Sequence, residues 1–310
     1  AYKANRINIV SNDKLDIYGQ IKANQELDIS AAGLAVKNSG DINVNTSYGK
    51  SDWNITGDVT NNGDLSIGSN LDIISTSVTN HKNLNVHKNL TITTNSINNT
   101  AGANISANTL VSIKAVGDGF LESATNSGTI SSNNILIKTN KLDNNNDAVL
   151  VAKQADINIA ETLNNAGGIY QITHSLTSTN NDFNLTAKEL NNLSSNNSKA
   201  ANIQIAKGYI DSETINNNGL IVETQNLRLA SDKLSFSNVK ELNNSGTIIV
   251  DSGLDISGGT FINRANEVGR QAYFQASSLT AAELKGFDNT GLIILDGSLD
   301  IASQDSLKNE

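Results

Sequence analysis

Four stretches of the sequence superpose on one template without a gap. Beginning at Val59, Ile215, Leu242 and Phe287, each carries Asn two residues on, at Asn61, Asn217, Asn244 and Asn289. Gly follows at the fourth step, at Gly63, Gly219, Gly246 and Gly291. Apolar residues return at the sixth step (Leu65, Ile221, Ile248, Ile293), the twelfth (Leu71, Leu227, Leu254, Leu299) and the fourteenth (Ile73, Leu229, Ile256, Ile301). A unit this small cannot enclose its apolar face alone. It buries that face by stacking on its neighbours, which makes the chain a solenoid and assigns nearly every apolar residue to the core. Looser copies run through Val36–Ile42, Ile97–Ile105, Ala124–Ile130, Leu142–Asn146 and Leu163–Ile169.

Between the copies lie apolar pairs separated by one polar residue, such as Leu15/Ile17, Leu84/Val86 and Ile203/Ile205. Alternation of this kind is strand periodicity, with two side chains inward and the middle one outward. Apolar residues at helical spacing are not sustained. The Asn and Gly positions read as corners where the chain takes positive φ. The Asn is also expected to stack on its counterparts as an internal amide ladder. Clean copies start 27 residues apart, at 215 and 242, and then 45 apart, at 242 and 287; the longer interval reads as two coils. The expected fold is all-β: a right-handed parallel β-helix of roughly 14 coils, running as one array over residues 1–310.

Composition agrees. There is no Pro, which suits a body of paired strands, and no Cys, which removes disulfides and thiolate metal sites. The 49 asparagines suit a chain with many turns. No Met stands anywhere, even at position 1, and no signal peptide opens the chain, so a fragment or processed product is expected. The net charge of −9 comes without a basic stripe, which argues against nucleic-acid binding. No apolar run is long enough for a transmembrane segment.

Chemistry finds little purchase. His81 and His87 are six residues apart, too far along one strand to share a metal ion, and His174 is the only other His. Gly49-Lys50-Ser51 lacks the earlier Gly of a phosphate loop, since position 44 is Val44. Gly117-Asp118-Gly119 is a single passage without the repeats of a calcium roll. The acids are distributed one per strand, as in Leu71-Asp72-Ile73, Leu254-Asp255-Ile256 and Leu299-Asp300-Ile301, rather than paired around a bond to be cleaved. No metal, cofactor or catalytic residue is expected. A carbohydrate-active β-helix enzyme, either a polysaccharide lyase or a hydrolase, is the alternative, and a pure spacer with no ligand is a third reading.

Three passages break the repeat: Tyr48–Trp53, which holds the only Trp, the Ser/Asn-rich Leu190–Ala201, and Asn263–Gln271, which holds two of the four Arg. Insertions in solenoids map to exterior loops. Aromatic and Arg side chains are favoured anchors, so Tyr48, Lys50 and Trp53, with Arg264 and Arg270, are the candidate binding residues. Removing the Trp53 side chain is then expected to weaken binding and leave the fold intact.

The Asn-x-Gly corner followed by alternating strands, most clearly Ile215–Ile221 and Leu242–Ile248, resembles the filamentous haemagglutinin family. These are large exoproteins of two-partner secretion: adhesins, haemolysins and the stalks of contact-dependent growth inhibition. The secretion domain of such proteins carries Asn-Pro motifs, absent here, so the resemblance implies an internal repeat segment cut from a longer exoprotein. It further implies a secreted or cell-surface location, an outer-membrane transporter as secretion partner, and a target-cell receptor or glycan as ligand.

Overall fold

The computed structural model describes residues 2–172, 182–194, 201–223, 234–265 and 271–309. The chain is all-β, 71% strand, built from parallel coils stacked as a β-solenoid of about 13 turns. Among the described residues there is no α-helix, and so none long and apolar enough to cross a membrane. The chain falls into two compact units, Ala1–Asp143 with Ala148–Ala152, and Asn144–Asp147 with Lys153–Glu310. Each is described by itself.

In the first unit one coil is three short strands, Asp58–Asn61, Asp64–Ile67 and Asn70–Ile74. The next is Ser77–Asn80, Asn83–Val86 and Asn89–Thr93, paired parallel and in register with the first. Each strand alternates inward and outward residues, because successive side chains point to opposite faces. Stacked register then turns one apolar residue per coil into a column. Val59, Val78, Ile97 and Ala124 form one; Leu65, Leu84, Ile105 and Ile130 another; Leu71, Leu90, Val111 and Ile135 a third. All are buried. A fully buried Leu or Ile contributes about 1.5–3 kcal/mol, so stability accumulates coil by coil rather than at one centre.

The asparagine at the third position of the template is buried and continues the column as a ladder. In the first unit Asn61 donates Nδ2 to Asn80 Oδ1 at 2.8 Å, Asn80 to Asn99 at 2.9 Å and Asn99 to Asn126 at 2.9 Å. The second amide proton reaches a backbone carbonyl of the next coil, such as Asn83 O at 3.1 Å from Asn61. In the second unit the ladder runs through the buried Asn144, Asn165, Asn192, Asn217, Asn244, Asn263 and Asn289 to the exposed Asn309, with steps of 2.7–2.8 Å. The asparagines of the repeat are therefore core residues, satisfied in place as a buried amide must be. The expectation that they mark positive-φ corners does not hold, since the ladder Asn sits at the end of a strand.

The template glycines are also not where positive φ occurs. Among the described glycines, φ is positive at Gly49, Gly102, Gly117, Gly208 and Gly258. Gly63, Gly219, Gly246 and Gly291 are fixed by space instead. A Cβ would lie 2.3 Å from Gly40 O at Gly63, 2.3 Å from Ala201 O at Gly219, 2.2 Å from Gly219 O at Gly246, and 2.6 Å from Ala272 O at Gly291. The cause is the stacking itself. The same carbonyls accept the N–H of the residue after each glycine, for example Thr247 N to Gly219 O at 2.9 Å. That bond draws the lower coil against the corner and leaves no room for a side chain.

The interval from 242 to 287 is two coils: Leu242 pairs with Phe261, and Phe261 with Phe287. Phe261 and Phe287 stack with ring centroids 5.0 Å apart. Leu254 and Ile256 are buried with Asp255 outward, and Leu71 and Ile73 likewise flank Asp72. Leu299, on the last strand, Leu299–Asn309, is 53% exposed.

Candidate binding surface

Outward-facing side chains and corner loops make up what each unit presents to other molecules, since the inner columns take up the apolar residues. The passage Tyr48–Trp53 lies in the first unit and splits by strand alternation. In the strand Lys50–Ile55, Lys50 and Asp52 face out while Ser51, Trp53 and Ile55 face in. Trp53 is 1% exposed, stacked between Ile29 and Ile73 of the adjacent coils, with Nε1 donating to Leu27 O at 3.1 Å. It is a core residue. The reading of Trp53 as an exposed anchor is overturned by its even spacing from Ser51 and Ile55, which puts it on the inward face.

Tyr48 is 80% exposed and stands on a long corner. Between the paired positions Val44↔Ile67 and Lys50↔Asn70, the first coil has five residues (45–49) where the next coil has two, and the coil beyond also has two, between the strands that end at Val86 and begin at Asn89. The five-residue corner turns at Thr46, whose Oγ1 accepts from Tyr48 N at 3.0 Å, and at Gly49, where φ is +92°. The short corner above it, Gly68–Ser69, leaves a gap that Lys88 bridges from the coil beyond. Its Nζ sits 5.5 Å from the centre of the Tyr48 ring, a cation–π contact. Lys88 belongs with Tyr48, and nothing in the linear repeat marks it except the shortness of the corner between.

Lys50 is held by two carboxylates, Asp52 at 2.7 Å on its own strand and Asp72 at 2.6 Å on the next coil. The hydrogen bonds from Asp52 and then Asp72 push its ammonium up to about 12. Arg6 pairs with Glu26 at 3.3 Å on the same unit. The patch is thus an aromatic ring with a lysine over it, beside a group in which two negative charges surround one positive.

Arg264 belongs to the second unit. Its backbone N donates to Asn244 O at 3.0 Å, continuing the coil pairing, and its guanidinium pairs with Asp288. Arg270 lies outside the described residues, as do His174 and parts of the two other irregular passages. His81 and His87 are exposed at the two ends of the strand Asn83–Val86. Asp118, at the Gly-Asp-Gly passage, pairs with Lys114, which holds its carboxyl below the usual range. Among the described residues no three His, Cys, Asp or Glu side chains are grouped to hold a metal ion.

No family model, no curated protein and no solved structure matches this chain.

Proposed function

We propose that this chain is a filament or stalk segment of a large secreted bacterial surface protein, an adhesin or a contact-dependent inhibition protein. Its role is to supply reach and a lateral surface for binding a cell or receptor. The observation that carries this reading is the allocation of side chains. The inner positions of coil after coil are occupied by apolar columns and the Asn ladder, and the outward positions are polar. Such a body resists local collapse, because each internal strand is hydrogen-bonded on both sides, and it offers recognition only along its flanks and corners. The repeat passages at 215–221 and 242–248 resemble the filamentous haemagglutinin family, and that resemblance supports a two-partner route for the parent protein, with an outer-membrane transporter as its secretion partner. Tyr48 with Lys88, and Arg264, are the contacts favoured by their chemistry.

The test is binding of the labelled chain to intact bacteria and to host epithelial cells, side by side. Saturable binding to either supports the reading and tells interbacterial from host recognition. Binding to neither reduces the chain to a spacer.

A further inference from the structure

We infer that the second unit carries a saccharide-binding groove running across four successive coils at one corner. This rests on the reading of the outer surface as a recognition surface, and narrows it to a place and a ligand class.

The groove owes its shape to corners of unequal length. Between the paired positions Ile159↔Ala187↔Ser212 and Thr162↔Glu189↔Thr214, the first coil has two residues, Ala160 and Glu161. The next two coils have one each, Lys188 and Glu213. The fourth coil is longer again: Asp211 pairs with Ser237 and Thr214 with Glu241, so Asn238–Lys240 face only Ser212 and Glu213. The excess is taken up at Asn238, whose φ is 58°, and Val239 turns inward and is buried. Two long corners thus wall a floor made of two short ones. The cleft has a volume of 310 Å³. Its four coils, at ~4.8 Å per step, span roughly 14 Å, the length of a short oligosaccharide.

The lining is a set of hydrogen-bonding groups in fixed register. Asn158, Thr186 and Asp211 stand in one outward row on adjacent coils, an amide, a hydroxyl and a carboxylate one strand spacing apart. Asp211 Oδ1 accepts from Asn238 Nδ2 at 2.7 Å, and Lys240 Nζ pairs with Glu213 Oε2 at 3.0 Å, which ties the fourth-coil wall to the third coil at two points. The side chains of Asn158, Thr186 and Lys188 make no hydrogen bond or ion pair with other described residues, so their polar groups are free for a ligand. Two residues before Asp211, on the same outward face, Tyr209 is 36% exposed.

A sugar ring fits this chemistry. Its vicinal hydroxyls both donate and accept, which an amide, hydroxyl and carboxylate in a row satisfy together. Its C–H faces pack on an aromatic ring such as that of Tyr209. The two lysines and two carboxylates of the lining balance, so nothing draws a polyanion or polycation, and the ligand class is a neutral oligosaccharide.

The experiment is titration calorimetry, with saturation-transfer NMR, of the full chain against cellotriose, maltotriose, tri-N-acetylchitotriose and trigalacturonate. The expected result is saturable binding of at least one neutral trisaccharide with Kd of about 0.1–1 mM. Asp211→Asn and Thr186→Val, both nearly isosteric, weaken it at least about tenfold with unchanged melting curves; Thr79→Val, on the outward face of the first unit, does not. No saturable binding by any of the four, or tighter binding of trigalacturonate than of every neutral sugar, overturns the groove. Trisaccharide binding without cell binding removes the adhesive reading and leaves the groove standing. Cell binding without trisaccharide binding does the reverse.

Discussion

Asn192 donates its side-chain Nδ2 to Asn217 Oδ1 at 2.8 Å, and Asn217 passes the same bond to Asn244 at 2.8 Å. The two residues are 25 apart in sequence but one coil apart in space. Each internal amide is at once the acceptor for the coil below and the donor for the coil above, so losing one takes a ladder partner from both of its neighbours.

Asn217→Ala is therefore expected to destabilise the second unit by about 2–3 kcal/mol, because buried partners on both sides are left unpaired. Asn216→Ala, in the half-buried outer row where Asn216 donates to Asn191 Oδ1 at 2.8 Å, is expected to cost less than about 1 kcal/mol, since water replaces the lost partner. Urea unfolding midpoints of the two variants decide it. Equal losses would mean the inner ladder contributes no more than a surface contact.

The glycines divide into two kinds, and asparagine separates them. Gly102 has φ of +75° with nothing near its missing Cβ, so Gly102→Asn is expected to stay within about 1 kcal/mol of the parent, because Asn tolerates the left-handed region. Gly246 faces a carbonyl 2.2 Å from where Cβ would stand, so Gly246→Asn is expected to cost about 3 kcal/mol or more. Thermal melts of the pair are the check, and a Gly246→Asn protein as stable as its parent would refute the spacing argument.

Trp53→Ala is expected to lower stability by about 3–5 kcal/mol, the loss of a large side chain from a packed column. Tyr48→Ala, at an exposed corner, is expected to change it by less than about 0.5 kcal/mol while removing the ring under Lys88. If cell binding falls with Tyr48→Ala and stability does not, the corner is a contact.

Two ionisable groups give the first unit opposite pH limbs. Lys50, with its ammonium raised to about 12 from an ordinary 10.5, contributes fully below 10.5 and progressively less as pH rises through 12. Asp64 is held below 3.8 by hydrogen bonds from Lys82 and then Asn83; it contributes fully above 3.8 and loses that contribution as pH falls. Both groups are well exposed, so each effect is small. Lys50→Met is expected to abolish only the alkaline limb, read as the difference in urea midpoint between pH 10 and pH 12.

The repeat made the fold legible, because the columns are periodic in sequence as well as in space. Asn61, Asn217, Asn244 and Asn289 fell in register from spacing alone, and so did Leu254 and Ile256. What spacing does not carry is the reason a residue type stands at a corner: the clash at Gly246 belongs to the coil beneath it, not to its own φ. Rarity makes Trp53 look like an anchor, whereas its alternation with Ser51 and Ile55 marks it as inward. The candidate contacts were less legible. Lys88 reaches Tyr48 across a coil whose two-residue corner is visible only once coils are aligned, and the groove floored by Lys188 and Glu213 depends on differences of one residue between neighbouring corners.

The ladder also bears on chemical ageing. The sequence has two Asn-Gly dipeptides, Asn62-Gly63 and Asn218-Gly219, the kind of site where a backbone nitrogen attacks the preceding side-chain amide and releases ammonia. In the folded chain both of those nitrogens are engaged: Gly63 N donates to Asn61 Oδ1 at 3.0 Å, and Gly219 N to Asn192 O at 3.2 Å. Ladder residues hold the reactive N–H groups in place, so conversion to aspartate and isoaspartate is a clock that runs in the unfolded chain. Charge variants accumulating at Asn62 and Asn218 record how long a molecule has spent with its coils apart.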